Sequence, residues 1–495
     1  MKKSKKNRKT IAFKIISWLL LLTTLITSIF LIYFEILPIL YLVLFILIIG
    51  IIVFLLFRSL NSNRLRKWIK IVLSIPSVFM IIIFTIICFY SYGTIDFFNS
   101  ILDVGLRHDS YSVYVLNNSN YEKIKDLDNK IIGVSEVEDE TTKKAIDKVS
   151  KKIEFNMAEY ENVGESVDSL KENDVDAIIA LDSAIDILKE DSNDYNDLKA
   201  IYTFSIKTKV KTLSSKKDVT KDNFVVYLSG IDTNGKVATS SRSDVNILVA
   251  VNPKEKKILM LNTPRDYYVK LGNKKAYDKL THAGVYGIEE SVSTLSKFYD
   301  IDIDYYARVN FTTFINIVEE LDGIEVNVPV NFCEQTSSRN STKQICLKKG
   351  LQTLNGEQAL ALSRTRHTIA GGDRGRIENQ MLVLKAIIDK ALSPKIIVKY
   401  NSLLSSISDS LITNIEQKNV TKLIKNQIKK GSNWEIESFS VNGTDSSATT
   451  YSTGSFQAYV MRPDEKTVLE AKKKLDKILE TNKYSEEKNN ENVDE

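Results

Sequence analysis

The sequence predicts an α/β protein held to a membrane by three N-terminal helices, and three observations carry that prediction. Ile15–Phe34, Ile36–Phe57 and Ile71–Ile95 are uncharged runs of 20, 22 and 25 residues. Each is long enough for a hydrocarbon core of ~30 Å at ~1.5 Å per helical residue. Strand-like and helix-like stretches then alternate from Tyr111 onward, the pattern of a small α/β domain, and a second strand-rich stretch opens at Phe224. The expected organisation is a basic leader with three spans (1–95), an α/β accessory domain (96–215), a larger domain (216–480) and a polar, disordered tail (481–495).

A cleaved signal peptide has an apolar core of only ~7–15 residues, so the first run reads as a span. Residues 1–95 carry twelve Lys/Arg against one acid, Glu35, a net +11; the remainder holds 55 basic and 61 acidic residues, a net −6. A nucleic-acid reader would place its basic charge on the folded part, so nucleic acid is excluded as a partner. Six bases precede Ile11, five lie between Arg58 and Lys70, and none lies between Glu35 and Pro38. That asymmetry predicts a cytoplasmic N-terminus and second loop, with everything from about residue 96 outside. Three cysteines are too few for a disulfide scaffold and three histidines too few for most zinc enzymes.

Within 96–215, Tyr111–Leu116 and Ile131–Val134 read as strands and Glu140–Lys152 as a helix. Val163–Asn173 follows as a short helix, Asp176–Leu181 as a strand, and then another helix. The phrases YSVYVLNNSNYEKIKDLDNKIIGV and LKENDVDAIIALDSA loosely resemble one lobe of a periplasmic solute-binding protein. No catalytic constellation stands out here, and the reading is a scaffold or interaction domain.

Further on, Phe224–Leu228, Val245–Val251 and Ile258–Leu261 read as strands, the last two joined by a turn at Asn252-Pro253. Asp232, Asp244 and Arg265 then fall at strand ends, where a rigid scaffold presents functional loops. Two carboxylates there suit Mg²⁺, which keeps waters and takes other ligands from phosphate; ordinary turn and capping roles are the alternative. Ala359–His367, ALALSRTRH, reads as a strand that would point Arg364 and Arg366 to one face. After Gly371-Gly372-Asp373 a helix places Arg376 and Gln380 together, with Ile377, Met381, Leu384 and Ile388 as its core stripe. Arg364, Arg366, Arg374 and Arg376 thus crowd thirteen residues of an acidic region, and guanidinium forks match phosphate oxygens.

The segments GID…RSDVNILVAVNPKEKKILMLNTPRDYYV, YDKLTHAGVYG, LDGIEVNV, GLQTLNGEQALALSRTRH and GGDRGRIENQ, spread over about 220–390, closely resemble the LytR–CpsA–Psr family. Three spans plus an extra domain look most like its capsule-type members. Thr263 stands where the family usually has serine, and Leu362 and Ser363 where it has an aromatic residue and valine. The resemblance implies an α/β/α sandwich around a mixed sheet, with an apolar tunnel for a lipid. It implies a phosphotransferase that moves a glycan, linked through pyrophosphate to a polyprenyl lipid, onto peptidoglycan and releases polyprenyl phosphate. Asp232 and Asp244 would hold Mg²⁺, or Mn²⁺, beside the pyrophosphate. Arg265, Arg364, Arg366, Arg376 and Gln380, with Arg374 nearby, would bind phosphates, and Lys279 and Lys297 are further candidates. Asp266 or the two metal-site aspartates would serve as base.

A non-enzymatic regulator or scaffold of capsule assembly and a polyprenyl-pyrophosphate hydrolase are the competing readings. Capsule-assembly membrane proteins and a kinase–regulator pair are candidate partners. His282 and His367 lie beside these motifs and read foremost as packing or hydrogen-bonding residues. Cys333 and Cys346 flank a polar loop and form either a disulfide, where the compartment is oxidising, or two free thiols. Finally, Pro463-Asp464 should open a helix with Val468, Ala471, Leu475 and Ile478 as its buried stripe.

Overall fold

The computed structural model describes residues 2–483 apart from 34–38, 103–105, 210–214, 216, 234–239, 275, 339–343, 367–372, 394–402, short stretches between 404 and 432, 455 and 482. His367, Gly371, Gly372 and the expected tail from 484 lie outside the described residues. The chain forms two compact units, Met1–Asn99 and Ser100–Glu495.

The first unit is helical: α1 (Lys2–Tyr33), α2 (Ile39–Asn61) and α3, which runs from Lys67 past the expected Ile95 to Leu102. Three stretches are long and apolar enough to cross a membrane: Ile11–Ile32, Leu42–Asn61 and Lys67–Phe89. Leu20, Val53, Leu56 and Phe84 pack inside, while Ile15, Leu25, Phe54 and Phe79 face outward. Outward apolar side chains are what lipid solvates and water does not. Asn61 Nδ2 donates to Ser17 Oγ at 2.8 Å, tying α2 to α1.

The second unit holds two large sheets among its described residues. Strands β1 (Leu106–Leu116), β2 (Lys130–Ser135), β3 (Phe155–Tyr160), β4 (Ala177–Leu181) and β5 (Leu198–Lys209) form the first, in the order β3-β2-β4-β1-β5. Helices α4 (Glu140–Ser150), α5 (Val163–Lys171) and α6 (Asp182–Asp191) connect them. Strands β2, β3 and β4 run parallel, and β1 lies antiparallel between β4 and β5. Strands β3 and β5 are additions to the elements expected between residues 96 and 215. In β5 the signal was present: Phe204, Ile206 and Thr208 are buried between exposed Thr203, Ser205 and Lys207, a period of two.

The second sheet is built from β6 (Phe224–Gly230), β7 (Val245–Asn252), β8 (Lys257–Asn262), β11 (Tyr305–Val309), β16 (Leu411–Thr413) and β17 (Glu435–Ser440). Its order is β16-β11-β6-β7-β8-β17. It is mixed: β11 is parallel to β6 and β17 to β8, the other pairs antiparallel. Successive residues point to opposite faces. Leu248 and Ala250 therefore meet a core with Leu295 and Tyr299 of α8 (Ile288–Tyr299) and Leu475 of α12 (Glu465–Leu479). Ile247, Val249 and Val251 meet Ile377 and Met381 of α11 (Asp373–Ala391). The result is the α/β/α sandwich around a mixed sheet that the resemblance implied. The stripe of α12 is buried at Ala471, Leu475 and Ile478 behind an Asp464 N-cap.

Smaller elements complete the unit. They are β9 (Tyr268–Lys270), β10 (Tyr277–Lys279), α7 (Leu280–Ala283), α9 (Phe311–Glu320), β12 (Ile324–Val328), β13 (Phe332–Gln335), β14 (Gln344–Leu347), β15 (Gly350–Leu354), α10 (Gly356–Arg364), β18 (Gly443–Thr449) and β19 (Gln457–Pro463).

Helix α10 corrects the expectation of a strand over Ala359–His367. Asn355 caps it: its side chain accepts from Gln358 N at 2.9 Å, and Gln358 Oε1 accepts from Asn355 N at 3.0 Å. This reciprocal cap, N-x-x-Q, marks a helix start. Ala359, Leu360, Ala361, Leu362 and Ser363 are all buried, which a one-faced strand would not allow. The helix ends at Arg364, and Thr365 returns to extended backbone.

Candidate active site at the strand ends

Strands β6, β7 and β8 are successive antiparallel neighbours, so the end of β6, the start of β7 and the end of β8 share one edge. Asp232, Asp244 and Arg265 lie at that edge and line one cavity of about 710 Å³. The register fixes them: Asp244 N donates to Gly230 O at 2.8 Å and Thr263 N to Asn246 O at 2.9 Å. Arg265 Nη1 donates to Asp244 Oδ1 at 2.7 Å, with the two side chains 26% and 16% exposed.

Arg364, Arg366, Arg376 and Gln380 line the same cavity. They arrive from α10, its C-terminal exit and the first turns of α11. Arg364 Nη1 donates to Thr336 O at 3.3 Å, and its guanidinium lies 5.0 Å from the centre of the Phe311 ring. Gln380 Nε2 donates to Ser363 O at 3.3 Å, joining α11 to α10. Thr336 belongs to the chain just after β13, and β13 pairs with β14 in a hairpin closed by a Cys333–Cys346 disulfide. The disulfide alternative of the sequence reading is the one realised, and the hairpin forms part of the rim, where Glu334 also lines the cavity.

The other end of the cavity is apolar. Leu228, Ile247 and Val309 from the sheet face Phe314 and Ile317 of α9, Leu360 of α10 and Leu384 and Ile387 of α11. One space thus joins a charged mouth to a greasy slot.

Four predicted residues do not line it. Asp266 sits with Oδ2 3.4 Å from Arg265 Nε, outside the lining. Arg374 is exposed and donates to Gly443 O at 3.2 Å. Lys279 is buried on β10, and Lys297 donates to Gly272 O at 2.6 Å beside a different groove. The buried hydroxyl of Thr263 turns to Tyr299 at 2.8 Å.

Residues that the sequence reading passed over also shape the site. Arg242 joins the lining and pairs with Glu190 of α6, Nη2 to Oε1 at 2.9 Å. Arg308 is fully buried behind the wall. It donates from Nε to Ser229 Oγ at 3.2 Å and from Nη2 to Ser243 Oγ at 3.1 Å. Its clue was an arginine two residues after Tyr306 on the inward face of an apolar strand. A side chain at Gly284 would meet Ser241 O and Ser243 Oγ at 2.5 Å and Arg308 Nη2 at 2.9 Å, so only glycine fits there.

Helix α7 backs this edge: Thr281 N donates to Arg265 O at 2.8 Å and Ser243 N to Thr281 O at 3.0 Å. It is pinned by Asp278, which lies 2.7 Å from His282 Nδ1 and accepts from Ser452 N at 2.9 Å and Ser452 Oγ at 2.6 Å. Burial alone would raise the Asp278 pKa, but His282, Ser452 and the Lys279 amide hold it below the ordinary carboxylate value. His282 is thus a buried hydrogen-bonding residue.

The sequence model of the LytR_cpsA_psr family matches residues 189–477, more than half of the chain. The chain belongs to this family. A polyisoprenyl-teichoic acid–peptidoglycan teichoic acid transferase of Bacillus subtilis, TagT, is 40% identical over 210 residues, 42% of this chain and 64% of that protein. TagV, named likewise, is 33% identical over 268 residues, 53% and 66% of the two chains. Biofilm regulatory protein A of Streptococcus mutans is 34% identical over 234 residues, 44% and 58%. The matched part spans less than two thirds of the length of each of these LytR_cpsA_psr relatives.

Among the described residues of this LytR_cpsA_psr chain, no three His, Cys, Asp or Glu side chains gather as metal ligands. Asp232 and Asp244 are two carboxylates at one cavity mouth. That donor set fits Mg²⁺, a hard cation that completes its shell with water and phosphate oxygens.

Proposed function

We propose that the chain is a membrane-bound phosphotransferase that moves a polyprenyl-pyrophosphate-linked glycopolymer, a capsular polysaccharide, to a hydroxyl of peptidoglycan. The observation that carries this reading is the single cavity lined by five arginines, Arg242, Arg265, Arg364, Arg366 and Arg376, and two aspartates, together with an apolar slot. A pyrophosphate on a long isoprenoid has that same division. The names of the TagT and TagV relatives support glycopolymer transfer to peptidoglycan. The three apolar helices and the additional five-stranded sheet support a capsule-type member.

Phosphoryl transfer depends on positioning and charge neutralisation more than on a covalent nucleophile. Arg265, Arg364, Arg366 and Arg376 would hold the pyrophosphate oxygens, with Gln380 donating beside them. Asp232 and Asp244 would hold Mg²⁺ or Mn²⁺, which supplies further neutralisation of the phosphates. The acceptor oxygen forms the new bond to the glycan-side phosphorus. The bond from that phosphorus to the bridging oxygen breaks, and polyprenyl phosphate leaves with the electron pair. The acceptor proton passes to an aspartate of the cavity, Asp232 or Asp244. The slot between the sheet and α9–α11 would keep the isoprenoid out of water. The basic leader and the Arg58–Lys70 loop support a site on the outer side of the membrane.

The test is transfer from a lipid-pyrophosphate donor to peptidoglycan by the full chain in detergent, with the Arg364→Ala/Arg366→Ala variant beside it. Wild-type turnover in that variant would leave the regulator or scaffold reading. Release of glycan phosphate to water at the same rate, with or without peptidoglycan, would make the chain a hydrolase.

A further inference from the structure

A second groove, of about 1170 Å³, opens on the other helical layer of the sandwich, between β9, β10, β19, α8 and α12. Its walls carry Lys270, Lys297, Arg462 and Lys472 against one carboxylate, Glu465. Tyr268 and Tyr277 stack on each other at 5.2 Å between centroids, and Tyr277 is 52% exposed. The Arg462 guanidinium sits 5.4 Å from the centre of the Tyr268 ring.

Three of these cations, Lys270, Lys297 and Arg462, have no carboxylate partner among the described residues. In the groove Lys297 meets the Gly272 carbonyl and Arg462 the Ser446 hydroxyl at 3.2 Å. Lys270 has no ion pair among the described residues. These three cations thus stand beside one carboxylate, Glu465, in a part of the chain that is net acidic. Aromatic faces beside Lys270, Lys297 and Arg462 complement a sugar polymer that carries negative charge. Pyranose C–H faces pack on tyrosine rings, and guanidinium and ammonium groups take carboxylate or phosphate oxygens.

The geometry points to this groove as a binding site for an anionic glycan, separate from the strand-end cavity. That the glycan is the transferred polymer rests on the function proposed above; the binding does not.

The experiment is equilibrium binding by the full chain in neutral detergent to polygalacturonate, to phosphomannan and to neutral pullulan. Binding to either polyanion, weakening with salt, with pullulan unbound, is the expected result; the two anionic probes separate carboxylate from phosphate recognition. Lys270→Glu/Arg462→Glu should weaken binding by about tenfold or more, the scale of one or two lost charge-assisted hydrogen bonds. Tyr277→Ala should weaken it at unchanged charge. Lys144→Glu, on α4, should bind as wild type. Equal binding by the groove variants, equal loss in Lys144→Glu, equal affinity for pullulan, or binding to anionic-lipid vesicles with none to either polyanion would each overturn the proposal. Lipid-donor transfer is measured separately. Failure there with groove binding intact would reject the enzymatic reading alone.

Discussion

Arg265 and Asp244 face each other across the strand edge, Nη1 to Oδ1 at 2.7 Å. One residue is a candidate phosphate ligand and the other a candidate metal ligand, so each neutralises the other until an anion and a cation arrive together. Their coupling should appear in the metal dependence. Asp244→Asn should lower glycan transfer by about tenfold or more, as expected for one lost charge-assisted contact, and shift the Mg²⁺ response to higher concentration. An unchanged Mg²⁺ curve would remove Asp244 from the metal site.

Arg364 and Arg366 come from a helix end, and neither is a core residue. Alanine at both should reduce transfer by about a hundredfold or more, at ~1.5–3 kcal/mol per contact. The melting temperature should hardly move. Arg364→Lys should recover only part of the loss, because an ammonium lacks the bidentate fork. A collapsed melting curve would make the pair structural instead.

The Cys333–Cys346 hairpin presents the Thr336 carbonyl to Arg364. Cys333→Ser/Cys346→Ser should therefore lower stability by roughly 2–4 kcal/mol and also raise KM for the lipid donor. Quantitative alkylation of both thiols in native protein without reductant would show that the bond does not form.

Asp278 gives a prediction in pH. Its folded pKa lies below the ordinary value, so its contribution is fully present above the unfolded pKa of ~4 and is lost as pH falls through the lower folded value. Asp278→Asn turns an amide donor toward groups that donate, costing about 1–3 kcal/mol at pH 7. Melting followed from pH 7 to pH 3 should show the variant converging on wild type only at the acid end. Parallel profiles would refute the assignment.

Strand-end chemistry was readable because the turn and alternation signals around β6, β7 and β8 are local, and Asp232, Asp244 and Arg265 follow from them. The crossing from α10 to α11 was not. Arg364 and Arg366 were grouped by strand periodicity, yet they meet in the cavity through a helix exit that the Asn355–Gln358 cap would have signalled. Lys297 has a plausible sequence neighbourhood but points to another groove, because α8 lies on the opposite layer from α11. The alternation of β11 marks Arg308 as inward-facing, but its partners, like the role of Arg242, were hidden for a third reason. What they touch comes from residues far along the chain, and no spacing rule encodes that.

Both outer strands of the six-stranded sheet come late in the chain: β16 closes the β11 side and β17 the β8 side. A polypeptide made from its N-terminus would already carry every charged cavity residue by Ala391. It would nevertheless present two bare strands whose amides and carbonyls invite pairing with other chains. During synthesis the segment from Leu411 to Ser440 thus acts as a pair of seals. Truncations that spare all the chemistry should still fail, by aggregation.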